Sequence, residues 1–255
     1  MITIKSKKEI DLLKEGGKHH AFILKSLSEI IRPGISTNDI NLLTLKLLEE
    51  KGDISAFLGY IPQGAPRPYP AAVCVSVNDE VVHGIPNENP RILSEGDIVS
   101  IDFGLSHRGM ITDAAVTVPV GAIDKESGRL IGVTLAALEA GIGAAFCGNH
   151  VGDISHAIES IVLPSGFSIV DILAGHGVGY SVHEDPYVPN IGKKGQGPLL
   201  KPGMVLAIEP IVNMGNKRVI FDKDGYTVRT ADGKKSAHFE HTIAITEGKA
   251  EVLTN

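Results

Sequence analysis

Residues 81–86 read VVHGIP, and residues 181–186 read SVHEDP. In each, a Val-His pair is followed by Pro three residues beyond the His. One His before a turn-forming Pro is usually structural, so the question is whether the flanking segments match too. From Gly34 to Asp39-Ile40 to Gly52 the intervals equal those from Gly148 to Asp153-Ile154 to Gly166. Asp102 lies six residues after Gly96, and Glu209 six after Gly203. Asp113 sits eight before Gly121, and Glu240 eight before Gly248. Any one coincidence is weak in a chain with 29 glycines, but five in the same order indicate an internal duplication, with halves of roughly 1–121 and 122–255.

Each half reads as two helices followed by β-rich sequence. Ser6 and Glu9 fit a capping box, and Ile10, Leu13, Gly17, Ala21, Leu24, Leu27 and Ile31 follow at helical spacing until Pro33-Gly34. A second helix runs from Thr37 to Gly52; the later pair covers ESGRLIGVTLAALEAGIGAAF and DISHAIESIVL. The β-branched runs are VCVSV, DIVSIDFGL and VTVPV in one half, and FSIVDIL, MVLAIEPIV, YTVRT and HTIAIT in the other. The expected fold is α+β, one domain over residues 1–255, its halves sharing one antiparallel sheet with helices packed on one side.

Composition narrows the function. A chain of 255 residues, 43% hydrophobic and 21% charged, has an ordinary globular balance. Its net charge of −6 argues against nucleic acid as the direct substrate. Cys74 and Cys147, the only cysteines, cannot build a disulfide framework or a cysteine metal site. The charged N-terminus MITIKSKKEIDLLKEGG lacks a signal-peptide core, and no uncharged apolar run is long enough to span a bilayer. A reducing, cytoplasmic setting without a membrane partner is expected.

The duplicated residues are acids and imidazoles: His83, Asp102 and Asp113 from one half, His183, Glu209 and Glu240 from the other. Carboxylates converging on a pseudo-twofold axis would repel and raise one another's pKa unless cations separated them. Two ions suit such a set better than one. Asp102 and Glu209 are expected to close apolar strands, IVSID and VLAIE, that bury them. His176, in AGHGVG, breaks the symmetry: it lies seven before His183, whereas Ser76 lies seven before His83. It would give one ion an imidazole that the other lacks. Taken singly, each residue has an ordinary structural explanation; as a repeated constellation they point to a dinuclear metal site. Oxygen-rich ligation with one imidazole suits Mn(II), Fe(II) or Co(II), admits Zn(II) and disfavours Mg(II). Two close metals activate water and polarise carbonyls, which is hydrolytic chemistry.

VCVSVNDEVVHGIP, GDIVSIDFG, TDAAVTV, GHGVGYSVHEDP, VLAIEPIV and SAHFEHTIAIT resemble the type I methionine aminopeptidases over essentially the whole chain. That resemblance implies a pita-bread fold, with helices on the outer face of a curved antiparallel sheet. It also implies removal of the initiator methionine from nascent polypeptides with a small second residue. By the family's pattern, Asp102 is a terminal ligand to one metal, Asp113 and Glu240 bridge, and His176 and Glu209 hold the other. The substrate amine binds near the Asp102 metal, and a metal-bridging hydroxide attacks the carbonyl. His183 stabilises the oxyanion, His83 assists the leaving amine, and Glu209 doubles as proton shuttle. Tyr60, Tyr69, Cys74 and Tyr226 match positions lining the methionine pocket. Asn78 and Ser236 match positions that hold a monovalent cation in some members. The family pattern further suggests a monomer in transient contact with the ribosome. The chain departs from it in the Pro-rich segment 61–70, at Val182, where many relatives have an aromatic, and at Tyr226, where many have Trp. The alternatives are an Xaa-Pro peptidase of the same fold and a non-catalytic ribosome- or RNA-binding relative.

Overall fold

Ser6 opens α1 (Lys7–Glu29) with the expected box: its hydroxyl accepts from Glu9 N at 3.4 Å, and the Glu9 carboxylate accepts from Ser6 N at 2.7 Å. This computed structural model describes residues 1–62 and 64–255. The helix ends at Glu29, before Pro33 is reached. The duplicated spacing maps onto the same local hardware in α2 (Thr37–Lys51) and α4 (Val151–Val162). Gly34 and Gly148 precede them with φ of +91° and +92°, and Gly52 and Gly166 follow at +71° and +83°. Asp39 and Asp153 each accept the backbone N–H three residues upstream, from Ser36 at 3.0 Å and His150 at 2.7 Å. The remaining helix, α3 (Lys125–Ala144), is capped by Asp124.

The first half contributes β1 (Ile54–Ser55), β2 (Cys74–Val77), β3 (Glu80–Val82), β4 (Ile98–His107) and β5 (Met110–Pro119). After α4 come β6 (Ser168–Ile169), β7 (Ala174–Gly177), β8 (Glu184–Pro189), β9 (Val205–Ile208) and β10 (Ile211–Asn213). The chain ends with β11 (Val219–Phe221), β12 (Val228–Thr230), β13 (Ser236–His238), β14 (Glu240–Ala244) and β15 (Glu251–Val252).

A nine-stranded antiparallel sheet runs β1-β4-β5-β14-β9-β7-β8, with β2 added to β4 and β15 to β14. Its middle pair, β5 and β14, joins the halves, Ala115 opposite Glu240 and Ala114 opposite His241. That ladder is short because threonine hydroxyls take over at both ends. Thr242 Oγ1 accepts from Asp113 N at 2.8 Å and donates to Asp113 O at 2.7 Å. Thr117 Oγ1 does the same for His238, at 2.8 and 2.7 Å. Outward from this seam, β2 lies on β4 with Ser76 opposite Ser100, and β7 lies on β9 with His176 opposite Ala207. Ser100 and Ala207 each precede the repeated acid by two residues, so Ser76 and His176 hold matching places in the two halves.

The halves share this nine-stranded antiparallel sheet as expected, and two smaller three-stranded sheets, β13-β10-β6 and β11-β12-β3, stand beside it. MVLAIEPIV divides into β9 and β10 because Pro210 lacks a backbone N–H, and FSIVDIL pairs only at β6. Asp102, expected at a strand end, lies in the middle of β4, since the apolar alternation continues through Phe103 and Leu105 to the Arg108-Gly109 turn.

One face of the sheet is covered. Ile23 and Leu27 of α1 with Ile40 and Leu48 of α2 pack on Val99, Ile101, Phe103 and Leu105. Leu130 and Leu138 of α3 with Ile154 and Ile158 of α4 pack on Leu206, Ile208 and Ile243. Each of these fully buried side chains contributes roughly 1.5–3 kcal/mol. Strand alternation turns Ile101 and Phe103 toward the helices and therefore sends Asp102 to the opposite face.

Candidate metal centre

The register explains how residues 138 positions apart along the chain come together. Cross-strand partners point to the same side of a sheet. Asp102 faces Ala115, Asp113 faces Gly104, and Glu240 faces Ala115, so the three carboxylates rise from one face of adjacent strands. His176 faces Ala207, and Glu209 follows Ala207 by two residues, which brings both to that face from the second half. One ligand atom from each of Asp113, His176 and Glu240 lies within 4.8 Å of the others. His176 Nε2 is 3.4 Å from Glu209 Oε1.

The group is almost shut off from water: Asp102, Asp113, Glu240 and His176 are all at most 8% exposed. Burial, with repulsion from Glu209, pushes the Asp113 carboxyl up to about 8. Burial alone takes Glu209 up to about 8. Asp102 is raised well above the carboxylate range by burial, then by Asp113 and Glu209; Glu240 is raised by burial, then by Asp113, Glu209 and Asp102. Such a set cannot be ionised together near neutral pH without cations.

The side chains fit that need. Asp102 Oδ1, Asp113 Oδ1 and Glu240 Oε1 are buried without a hydrogen-bond partner. His176 Nδ1 lies 2.9 Å from Gly177 O and donates to it, which leaves a lone pair on Nε2, the nitrogen aimed at Glu209. An imidazole fixed this way by a backbone carbonyl is oriented as a ligand. Desolvation takes His176 down to about 3, so the ring is neutral.

One cavity is lined by the catalytic, metal-ligand and pocket residues expected from the sequence: His83, Asp102, Asp113, His176, His183, Glu209, Glu240, Tyr60, Tyr69, Cys74 and Tyr226. Phe57 and Pro62 complete its wall. Tyr69 donates to Gly84 O at 2.9 Å and packs edge-on against Tyr226 at 5.0 Å. Tyr226 donates to Arg67 O, and Arg67 is clamped by Glu88 and by Asp224 O at 3.1 Å. The 61–70 segment, in which Gln63 lies outside the described residues, thus brings Pro62 and Tyr69 to the cavity and is anchored through Arg67. Val182 is buried and does not line it.

His183 and His83 stand at the cavity in different surroundings. Tyr60 Oη is 2.9 Å from His183 Nδ1, and the His183 ring packs on His176 at 4.5 Å. Burial lowers the His183 pKa and raises that of Tyr60, so a protonated phenol meets a neutral ring. His83 occupies the left-handed region, φ +60°, and desolvation lowers it to about 4. Away from the cavity lining, Ser236 N donates to Asn78 O at 2.9 Å, and Asn78 Oδ1 accepts from Ile98 N at 3.1 Å.

Sequence reasoning missed His238. It is buried, its Nε2 3.5 Å from Glu209 and 3.9 Å from Glu240, with no hydrogen-bond partner. The signal was its two-residue spacing from Glu240, which favours the same side of the chain.

The sequence profile of metallopeptidase family M24 matches residues 11–247. Methionine aminopeptidase 1 of Bacillus subtilis (strain 168) is 44% identical over 254 residues, covering 100% of this chain and 99% of that one. The crystal structure of methionine aminopeptidase from Thermotoga maritima superposes with a TM-score of 0.95 at 44% identity, covering 100% of both chains. Prolidase from Pyrococcus furiosus shares the fold, with a TM-score of 0.75 at 22% identity over 99% of this chain and 65% of that one. Among the described residues no helix is long and apolar enough to cross a membrane. Sheet, buried acids and likeness agree: the chain belongs to metallopeptidase family M24, in its methionine aminopeptidase branch.

Proposed function

We propose that this chain removes the N-terminal initiator methionine from nascent polypeptides whose second residue is small. The observation that carries this is the junction of two surfaces. An acidic floor from both halves meets an apolar wall of Phe57, Tyr60, Pro62, Tyr69, Cys74 and Tyr226 within one cavity. An unbranched thioether side chain suits that wall, and the scissile carbonyl then lies over the acids.

Asp102, Asp113 and Glu240, with His176 and Glu209, would hold two divalent ions of the Mn, Fe, Co or Zn group. Such ions supply a lowered pKa for water and polarisation of a carbonyl. The remaining work belongs to the chain. With the Tyr60 phenol donating to Nδ1, His183 keeps its proton on Nε2 and offers it to the oxygen that gains charge. His83, neutral at pH 7, faces the cavity as a partner for the departing amine. The Glu209 carboxylate is the group that takes up and returns a proton. A monovalent cation on backbone and side-chain oxygens at Asn78 and Ser236, a cytoplasmic monomer and transient ribosome contact complete the proposal.

Hydrolysis of Met-Ala-Ser and of an Xaa-Pro dipeptide, each with added Mn(II), Fe(II) or Co(II), tests it. The methionyl peptide should be cleaved and the Xaa-Pro bond left largely intact. The reverse preference, or no cleavage with any of the ions, would contradict the proposal. The prolidase likeness, at 22% identity, supports the shared fold alone.

A further inference from the structure

A second cluster of ligand-type side chains lies where α1, the end of α2 and the β4–β5 hairpin meet. Glu15 and His19 stand one turn apart on α1. Asp53 follows the left-handed Gly52 cap of α2. His107 ends β4, just before the Arg108-Gly109 turn. Gly16 makes the meeting feasible, because a Cβ there would come within 2.7 Å of His107 Cβ. The Asp53 side chain is completely buried, and its two oxygens lie 2.7 Å from His19 Nδ1 and 2.7 Å from His107 Nδ1.

The fourth group makes this more than a pair of hydrogen bonds. His107 Nε2 is buried without a hydrogen-bond partner and faces Glu15 Oε2 at 3.5 Å. If Nδ1 of a neutral ring donates to Asp53, Nε2 presents a lone pair to a carboxylate. A cation on Nδ1 reverses this: the ring proton moves to Nε2 and points at Glu15. That is the carboxylate support which metal-bound imidazoles commonly have.

We propose that His19, Asp53 and His107 form a second divalent transition-metal site, separate from the acidic centre, with Glu15 orienting His107. One donor atom from each of the three lies within 4.8 Å of the others. Small side-chain rotations would close that spread onto the roughly 2.0–2.2 Å bonds of zinc. Two imidazoles and one carboxylate select Zn(II), Co(II) or Ni(II) over Mg(II) or Ca(II). The ion would tie the first helix to the loop after the second and to the hairpin leading into Asp113.

The test uses the full chain carrying Asp113→Asn, which weakens the acidic centre, at about pH 8, above the ordinary imidazole range. Titrated Co(II) should fill a site with visible d–d absorption, and Zn(II) should displace it. In the same background His19→Ala should lose one equivalent while keeping the far-ultraviolet circular dichroism. Glu15→Gln should weaken Zn(II) binding about tenfold or more. His19→Gln, which keeps more side-chain volume at a part-exposed position, serves if the alanine variant folds poorly. Equal stoichiometry with and without His19, or no absorption band before substitution, would overturn the site and leave a hydrogen-bonded His-Asp-His cluster. Peptide hydrolysis by His19→Ala in the otherwise unaltered chain should be unchanged, so the outcome is separate from the catalytic proposal.

Discussion

Tyr60 and His183 are 123 positions apart in the chain, yet their contact decides which imidazole nitrogen is left free to face the cavity. A part-buried phenol held in its protonated form donates to Nδ1, and the ring proton is left on Nε2, toward the cavity. Loss of one oxyanion donor typically costs about 3–4 kcal/mol of barrier. His183→Ala should therefore lower kcat roughly a hundredfold or more, with bound metal unchanged, as checked by steady-state kinetics and metal analysis. Turnover near that of the parent would remove His183 from its role. The sequence brought His183 forward because its Val-His-x-x-Pro is repeated. Tyr60 was reached only through the family resemblance, since nothing local ties a tyrosine before a Pro-rich loop to a distant imidazole. His238 was passed over because its spacing signal is weak and it has no counterpart in the repeat.

At the level of elements, the helix boundaries were the most legible part. Their caps are local chemistry: Ser6 with Glu9, Ser36 with Asp39, and the left-handed Gly52 and Gly166. Strand partners were less so, because pairing joins distant segments and a β-branched run does not name its neighbour. Glu209 shows the difference. Its position after VLAI was correct, but only the structure reveals that Pro210 ends one ladder and starts another. The β5–β14 seam was invisible in sequence, since two threonine side chains replace backbone pairs there. Thr242 is fully buried and holds both backbone groups of Asp113. Thr242→Val keeps the shape and strands those groups, so denaturant unfolding should show about 2 kcal/mol or more lost, with an unaltered m-value. A change within about 0.5 kcal/mol would mean that the seam holds without the hydroxyl.

Over the whole molecule, duplication turns one electrostatic problem into one solution. Each half brings carboxylates to the uncovered face of the sheet, and neither half alone assembles the set. Without ions the centre must hold protons. Asp113 and Glu209 titrate near 8 when folded, against about 4 in an unfolded chain. Their contribution is thus complete below about pH 4 and is lost as pH rises through 8. Buried His20, His176 and His238, lowered to about 3, and His83, lowered to about 4, act in the opposite sense. They destabilise the fold as pH falls below the ordinary imidazole value of about 6.5 and contribute no slope above it. Between about pH 6.5 and 8 only the carboxylates remain, each worth up to about 1.4 kcal/mol per pH unit.

The melting temperature of metal-free protein across that window, with and without Mn(II), tests the shared acidic centre most directly. The metal-free protein should melt at lower temperature as pH rises. Mn(II) should restore the loss, with a larger increment at the alkaline end, and Asp113→Asn should abolish most of that increment. A metal-free melting temperature that holds level or climbs with pH, together with an Mn(II) increment indifferent to pH and to Asp113, would contradict it.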